Sequence, residues 1–202
     1  MKTYEYDGTP FSEPRSHPWS GSATDAGARY YDFTASPELI RTSLEDFLPF
    51  RHYPAVEDFY ALLERVNHPK SPLESSDCAF NPPATNETRL VKAELECSGR
   101  LILLYRDLTL NTRRDRVSWL KTAFHQQLGH VDPKFRLGMI GTTLIPVRYL
   151  ARPESEQAGE QLLLGFWAYG ETLDATMQNL ARLFRNLTQA LRGVSARIVQ
   201  GD

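Results

Sequence analysis

A metal site is the first chemistry to consider, and the best candidate group in the sequence is His125, His130 and Asp132. Imidazole and carboxylate ligands at suitable spacing bind transition metals. Gly129 interrupts the predicted helix between the two histidines, and no His-x-x-x-His spacing occurs in the chain. The pattern is more typical of ordinary surface histidines, so we predict no metal ion and no cofactor.

Nucleophilic catalysis would need an activated serine or cysteine, and the sequence offers a weak setting for either. The Gly-x-Ser-x-Gly turn of serine hydrolases is absent, and Cys78 has only scattered histidines as possible bases. Cys97 is typical of a small buried thiol. The run 138–142 contains two glycines but lacks the lysine and the spacing of a phosphate loop. We therefore predict that the chain is not an enzyme.

Charged residues form two groups that could suggest nucleic-acid chemistry. Glu94 and Glu96 share one face of a predicted strand, as acids do in nuclease cores, but a solvated sheet face explains them more simply. Arg113, Arg114 and Arg116 are typical of a local solvated cluster. With 23 basic and 25 acidic residues, the chain has a net charge of −2. We therefore predict no direct binding of nucleic acid.

The first part of the chain predicts an irregular N-terminal arm followed by two helices. Residues 1–27 are rich in Gly, Pro, Ser and Thr, which favours irregular structure, and residues 28–34 suggest a short strand. Ser36, followed by a proline and an acid, predicts the start of a first helix. Pro54 opens a second helix that ends before residue 67.

A long loop and a β-hairpin are predicted next. Four prolines between residues 67 and 88 indicate a loop there. Apolar and polar residues alternate over 90–97, which predicts a strand with one wet face. Ser98-Gly99 predicts a tight turn, and residues 100–108 are the expected returning strand.

A third helix and three further strands are predicted in the middle of the second half. Thr112 is expected to cap the helix and Gly129 to end it. Pro146 must lie at a sheet edge or at a bulge because proline donates no ladder hydrogen bond. The predicted strands cover 134–142, 143–151 and 161–169.

The last helix has the strongest pattern in the sequence. It follows an acidic loop predicted over 152–160 and begins at Thr172, which can cap its first turn. Apolar residues then recur at alternating spacings of three and four. Gly193 is expected to terminate the helix, which places Arg192 at its negative end.

These elements predict an α+β fold, in which helices pack against an antiparallel sheet of about five strands. The C-terminal half has the order hairpin–helix–hairpin–helix. We expect one domain over 28–202, preceded by the arm of residues 1–27. The sequence start lacks a signal-peptide pattern, and the most apolar stretch is shorter than a membrane helix. We therefore predict a cytoplasmic monomer or homodimer without membrane contact.

Two acidic, proline-flanked loops are predicted to form the partner-binding surface. Glu74, Asp77 and Phe80 lie in the first loop, and Glu154 and Glu156 lie in the second. Exposed loops on a rigid scaffold commonly carry binding residues, and these acids would attract a basic partner surface. The alternative interpretation is that the same charges only keep the protein soluble.

Several runs between residues 70 and 195 resemble the immunity proteins of bacterial type VI secretion effector–immunity pairs, in particular the TsiT-like ones. The resemblance implies a stoichiometric inhibitor of a cognate toxin, whose fold in this family resembles a restriction-endonuclease nuclease. Acidic residues of the inhibitor would then imitate phosphate in the toxin's basic groove. The runs that carry the resemblance are Glu74–Phe80, Cys97–Leu101, Leu104–Leu108, Pro146–Tyr149 and Phe166–Gly170.

Two other functions stay open at the level of the sequence. An adaptor or chaperone that loads a secretion-system effector would also present a surface to a partner protein. An enzyme with an unrecognised site would instead lose turnover after substitution of His125 or Asp132. An inhibitor differs from the adaptor because it should abolish toxin activity at a one-to-one ratio.

Overall fold

The computed structural model describes residues 1–5, 15–17, 31–87, 89–152 and 155–201. In these residues the chain forms seven strands, five α-helices and one 3₁₀ helix. The strands are β1 (Lys2–Glu5), β2 (Arg15–His17), β3 (Leu73–Phe80), β4 (Ala84–Thr85), β5 (Leu95–Tyr105), β6 (Gly138–Arg152) and β7 (Ser155–Gly170). The helices are α1 (Leu39–Thr42), the 3₁₀ helix (Glu45–Phe50), α2 (Pro54–Asn67), α3 (Leu108–Asn111), α4 (Arg114–His130) and α5 (Leu173–Gln200).

The strands form a single mixed sheet, which confirms the predicted α+β class. Its main path runs β1-β6-β7-β5-β3, while β2 lies beside β6 and β4 beside β5. The pairs β6–β7, β7–β5 and β5–β3 are antiparallel. Strands β1 and β2 run parallel to β6. The sheet is therefore mostly, but not wholly, antiparallel.

Two segments of the predicted irregular arm are strands. Lys2–Glu5 pairs with β6 in parallel from Met139 to Thr142, because the outer edge of β6 offers backbone groups for pairing. Tyr4 reinforces the pairing, since its ring centroid lies 5.8 Å from that of Trp167. Residues 6–14 and 18–27 of the arm, and the first three residues of the strand predicted over 28–34, lie outside the described residues.

The described part of that predicted strand, residues 31–34, forms a turn. The Asp32 carboxylate accepts hydrogen bonds from the backbone N–H groups of Thr34 and Ala35 at 2.9 and 3.0 Å. Such local side-chain bonding competes with strand pairing. Helix α1 starts at Leu39, later than the Ser36 cap predicts. The predicted start of α2 is confirmed, with Pro54 in its first turn, and the helix extends one residue further than predicted, to Asn67.

The loop predicted over residues 67–88 is wrong in its central part, where β3 lies. Leu73 and Phe80 are buried at the two ends of β3, and the strand pairs with β5 through a bulge between Ser75 and Asp77. The four prolines flank this strand without entering it, so they bound it and do not prevent it. Burial of two large apolar side chains outweighs the loop signal.

The hairpin turn predicted at Ser98-Gly99 is also wrong, because β5 runs through it as one strand of 11 residues. Gly99 lies opposite Phe80 on one side and Phe166 on the other. Residues 90–94, the first part of the predicted partner strand, contain no strand. Gly99 is required because its neighbours pack closely against it, and not because the chain turns there.

The three strands predicted over 134–169 are two long ones. Strand β6 continues past residue 142 to Arg152, and β7 starts at Ser155. The acidic loop predicted over 152–160 is therefore wrong, because residues 155–160 pair with β6. Pro146 has an edge-like position on β6, since β1 pairs as far as Thr142 and β2 from Val147.

Glycines do not end the two long helices where the sequence predicts. Helix α4 continues through Gly129 to His130, and Arg113 precedes it where Thr112 was expected as the cap. Thr172 caps α5 as predicted and accepts a hydrogen bond from Ala175 N at 3.2 Å. The helix passes through Gly193 and ends at Gly201, whose φ of 85° is left-handed.

The core lies between the sheet and helices α2, α4 and α5. Phe59, Phe166 and Phe184 meet at its centre, one each from α2, β7 and α5. A smaller cluster of Ile102, Ile145 and Leu163 is buried apart from it. No helix in the described part of the chain is long and apolar enough to cross a membrane.

Candidate binding groove

Three of the predicted partner-binding residues lie on β3 and not on an exposed loop. Glu74 is buried. The Asp77 carboxylate is 8% exposed and accepts a hydrogen bond from Arg100 Nη2 at 3.2 Å. Phe80 stacks on Phe47 with 4.6 Å between ring centroids, so its ring belongs to the core. These side chains present little free surface, and their contact with a partner remains a prediction.

The two acids predicted in the second loop have different positions. Glu154 lies outside the described residues. Glu156 lies on β7, where its backbone is paired with that of Leu150 on β6. The exposed loop that motivated this part of the prediction is thus replaced by a β-hairpin.

His125, on α4, lies close to residues of two strands, β6 and β1. Its Nε2 atom lies 2.5 Å from Thr142 Oγ1 on β6 and 3.9 Å from Glu5 Oε1 on β1. Burial lowers the pKa of His125, while the Glu5 carboxylate raises it and the Lys121 ammonium lowers it by smaller amounts. In a catalytic triad the acid and the nucleophile bind opposite ring nitrogens. Here both partners lie at Nε2, so the contacts hold α4 against the sheet.

Asp132 is engaged elsewhere, in a bidentate ion pair with Arg182. Its two carboxylate oxygens accept hydrogen bonds from Arg182 Nε at 2.6 Å and Nη2 at 2.8 Å. The bonds from Arg182 hold the pKa of Asp132 below its usual value. His125, His130 and Asp132 therefore do not come together. Among the residues that the structure describes, no three His, Cys, Asp or Glu side chains could hold a metal ion.

Both cysteines are free thiols. Cys97 is buried on β5, and burial raises the pKa of its thiol. A thiol that stays protonated is a poor nucleophile. Cys78 is half-buried on β3, where its backbone pairs with that of Leu101.

An open groove of about 880 Å³ lies between α2 and α5. Each helix contributes one face, because its lining residues recur at helical spacings of three and four. The turn after α2 adds Lys70, Ser71 and Pro72 to the lining. The lining residues are Ala61, Glu64 and Arg65 of α2, His68 directly after it, and Thr188, Arg192, Ser195, Ala196, Val199 and Gln200 of α5.

The side chains around this groove carry excess positive charge. Arg65, Lys70 and Arg192 are exposed, and none of them has an ion-pair partner among the described residues. Glu64 contributes the single carboxylate of the lining, and it accepts a hydrogen bond from Arg41 Nε at 2.5 Å. Arg41 also binds Glu57, so it offsets only part of the charge of Glu64, and the lining has three cations against one carboxylate.

The end of α2 that faces the groove is capped by Arg106. Its Nη2 donates to the carbonyl oxygens of Asn67 at 3.2 Å and His68 at 3.1 Å, and its Nε donates to Ser71 O at 3.0 Å. Free carbonyls at a helix C-terminus would repel an anion. Arg106 occupies these carbonyls, two of which belong to residues that line the groove, His68 and Ser71.

Polar contacts hold the two walls of the groove in position. Asp58 on α2 and Arg185 on α5 form an ion pair at 2.7 Å. Tyr53, which precedes α2, donates a hydrogen bond to Asp174 at 2.8 Å. Asn67 fixes the end of α2 by donating to Leu63 O at 2.9 Å. The groove is therefore formed by the folded chain without a partner.

Sequence patterns do not reveal this groove. Arg65, Lys70 and Arg192 are each an unremarkable polar residue on a solvated face or a turn. The one indication of a functional cation was Arg192, which the sequence analysis expected at the end of the last helix. Because α5 continues to Gln200, Arg192 lies two turns inside the helix.

Comparison with protein-family models, with curated proteins and with solved structures gives no match for this chain. Its function must therefore be inferred from its own residues and their geometry.

Proposed function

We propose that this chain is an immunity protein, which binds a cognate secreted toxin and neutralises it by direct protein–protein contact. The observation that carries the proposal is the preformed groove between α2 and α5, with three unpaired cations among the described residues. Exposed, uncompensated charge on rigid helices steers a partner of opposite charge and fixes its orientation. The sequence resemblance to type VI immunity proteins supplies the class of partner.

The groove suits a protein partner more than a reaction. Arginine side chains are frequent contributors to protein–protein binding energy, because their planar guanidinium groups bind carboxylates in two places. By contrast, the groups singled out for chemistry have structural roles in the described part of the chain. His125 is bonded to Thr142, and Asp132 is bonded to Arg182.

The proposed site of action is the cytoplasm, where a toxin with nuclease activity would meet its substrate. An adaptor that loads the effector would use the same kind of surface, so the two functions differ in their consequence for toxicity. An inhibitor removes toxicity at a one-to-one ratio. A loading adaptor leaves the toxin active and changes only its export.

Co-expression in a bacterial host tests this proposal. The reading frame directly upstream of this one would be induced alone, with this chain, and with an unrelated protein of similar size. We expect growth arrest in the first and third cultures and growth in the second. The purified pair should also form a one-to-one complex by light scattering. Arrest that persists with this chain present, although the two proteins form a complex, would favour the adaptor.

A further inference from the structure

We propose that the groove between α2 and α5 receives an acidic segment of the partner protein. This inference rests on the proposed function and names the chemistry of the contact. It differs from the phosphate-mimicry expectation, in which acids of this chain occupy a basic groove of the toxin. The charge that lines this groove is positive, so here the partner would supply the carboxylates.

Local charge balance is the first argument. Arg65 lies on the α2 wall, Arg192 lies on the α5 wall, and Lys70 lies in the turn after α2. Glu64 is occupied by Arg41, which also binds Glu57 at 3.0 Å. A carboxylate in the groove would therefore have a guanidinium group on each wall and an ammonium group in the adjoining turn. Arginine–carboxylate hydrogen bonds of this kind are among the strongest in proteins.

Stabilisation of helix ends accounts for only one of the three cations. Arg65 lies in the last turn of α2, where a cation is favoured whether or not a ligand binds. Lys70 lies beyond that helix. Arg192 is too far from the end of α5 for this effect, which fades within the last turn. Arg197 lies in the last turn of α5 and bonds instead to Gln126 at 3.0 Å.

The dimensions of the groove suit a short peptide segment. Its α5 wall runs from Thr188 to Gln200, which corresponds to about 19 Å of helix. An extended segment of about six residues has this length. Ala61, Ala196 and Val199 give the lining an apolar component, and Val199 is 75% exposed. We therefore expect acidic residues interspersed with small apolar ones in the segment that binds.

A nucleic acid is a poorer match for the same surface. Binding along a phosphate backbone requires several basic residues in a row, and affinity rises with the number of phosphates neutralised. The groove offers three unpaired cations in the described part of a chain whose net charge is −2. Three cations around an apolar lining suit a few carboxylates better than a polyphosphate.

Two kinds of variant and a matched control test the inference. R65E/R192E reverses the charge of both walls, and R65Q/R192Q removes it without placing acids near a helix end. K92E/K134E changes the net charge as R65E/R192E does, but at exposed lysines that do not line the groove. Circular dichroism and thermal melting establish which variants fold as the native chain does.

The first measurement uses peptides and does not depend on the toxin. A fluorescein-labelled peptide of alternating glutamate and valine would be titrated with each protein, and its lysine–valine counterpart serves as the negative probe. We expect the acidic peptide alone to bind, with NMR shifts at residues 61–72 and 188–200. Binding should weaken about tenfold in either groove variant and not in K92E/K134E. Shifts centred elsewhere, or tighter binding of single-stranded DNA of equal charge, would overturn the inference.

The second measurement repeats the co-expression assay with the same variants. Protection lost in folded R65Q/R192Q and kept in K92E/K134E supports the groove as the toxin contact. Protection kept in both groove variants overturns the inference and leaves the proposed function standing. If the native chain gives no protection, the proposed function fails, and the peptide titration alone decides whether the groove binds acidic segments.

Discussion

The ring of Phe166 on β7 lies against the backbone of Gly99 on β5. A Cβ atom placed on Gly99 would come within 2.4 Å of Phe166 Cζ and 2.3 Å of the carbonyl oxygen of Ala79. The ring is part of the central aromatic group and packs edge-on against Phe184 with 5.1 Å between centroids. One absent side chain thus allows the strands and the helical layer to approach closely.

Gly99→Ala is therefore expected to destabilise the fold by roughly 1–3 kcal/mol, the usual cost of overpacking. The backbone carbonyl of Ala79 cannot move aside as a flexible side chain would. Urea unfolding measures the effect. Gly129→Ala is the matched control, since nothing lies within 4 Å of its added Cβ, and a helical alanine should stabilise α4 by up to about 1 kcal/mol. Equal stabilities of the two variants would contradict this account.

His125 should make stability depend on pH below its ordinary pKa of 6.5. Burial lowers its folded-state pKa, and the charges of Lys121 and Glu5 act on it in opposite directions. The unfolded chain therefore binds the proton more readily, so stability falls as pH drops from 6.5 towards the lowered pKa. Unfolding free energies at pH 7.5 and 5.5 should differ less in His125→Gln than in the native chain. An unchanged difference would show that other groups cause the dependence.

A buried hydrogen bond joins β3 and β7 through side chains. Ser76 Oγ donates to Gln161 Oε1 at 2.6 Å, while Gln161 Nε2 has no partner among the described residues. Ser76→Ala leaves a buried acceptor unsatisfied as well and should cost about 1–3 kcal/mol. The double variant Ser76→Ala/Gln161→Met removes both polar groups and should be nearly as stable as the native chain. Additive losses in a double-mutant cycle would refute this.

Arg106 should stabilise the fold more than an exposed arginine does, because three backbone carbonyls accept its hydrogen bonds. Arg106→Gln is expected to lower the unfolding free energy by roughly 1.5–3 kcal/mol. Arg113→Gln is a suitable control, since Arg113 forms an exposed ion pair with Asp115, and such pairs contribute about 0–1 kcal/mol. Hydrogen exchange should quicken at the end of α2 in the first variant alone.

Element types with local signals were predictable from the sequence. Pro54 marks the start of α2 and Thr172 marks the start of α5, because a first-turn proline and a capping hydroxyl act within a few residues. The predictions of a turn at Gly99 and of helix ends at Gly129 and Gly193 were wrong. A glycine in a turn and a glycine under a neighbouring side chain look alike in sequence. At Gly193 an added Cβ would meet Gln127 Oε1 of α4 at 2.4 Å.

The groove could not be predicted because its residues are distant in sequence. Arg65 and Lys70 meet Arg192 only after α2 and α5 have packed side by side. The prediction of an acidic binding surface assumed that the residues of β3 form an exposed loop. Pairing of β3 with β5 buries Glu74 and gives Asp77 a partner in Arg100. Which charges stay open to solvent is thus decided by tertiary structure.

The irregularities of β3 have a consequence for self-association. This strand ends one side of the described sheet, and an unprotected strand there would invite another chain to extend the sheet. The bulge between Ser75 and Asp77 bends its backbone, and Pro82 and Pro83 follow it without N–H groups to donate. We therefore expect that another chain would add to the sheet at β3 less readily than at a regular edge strand.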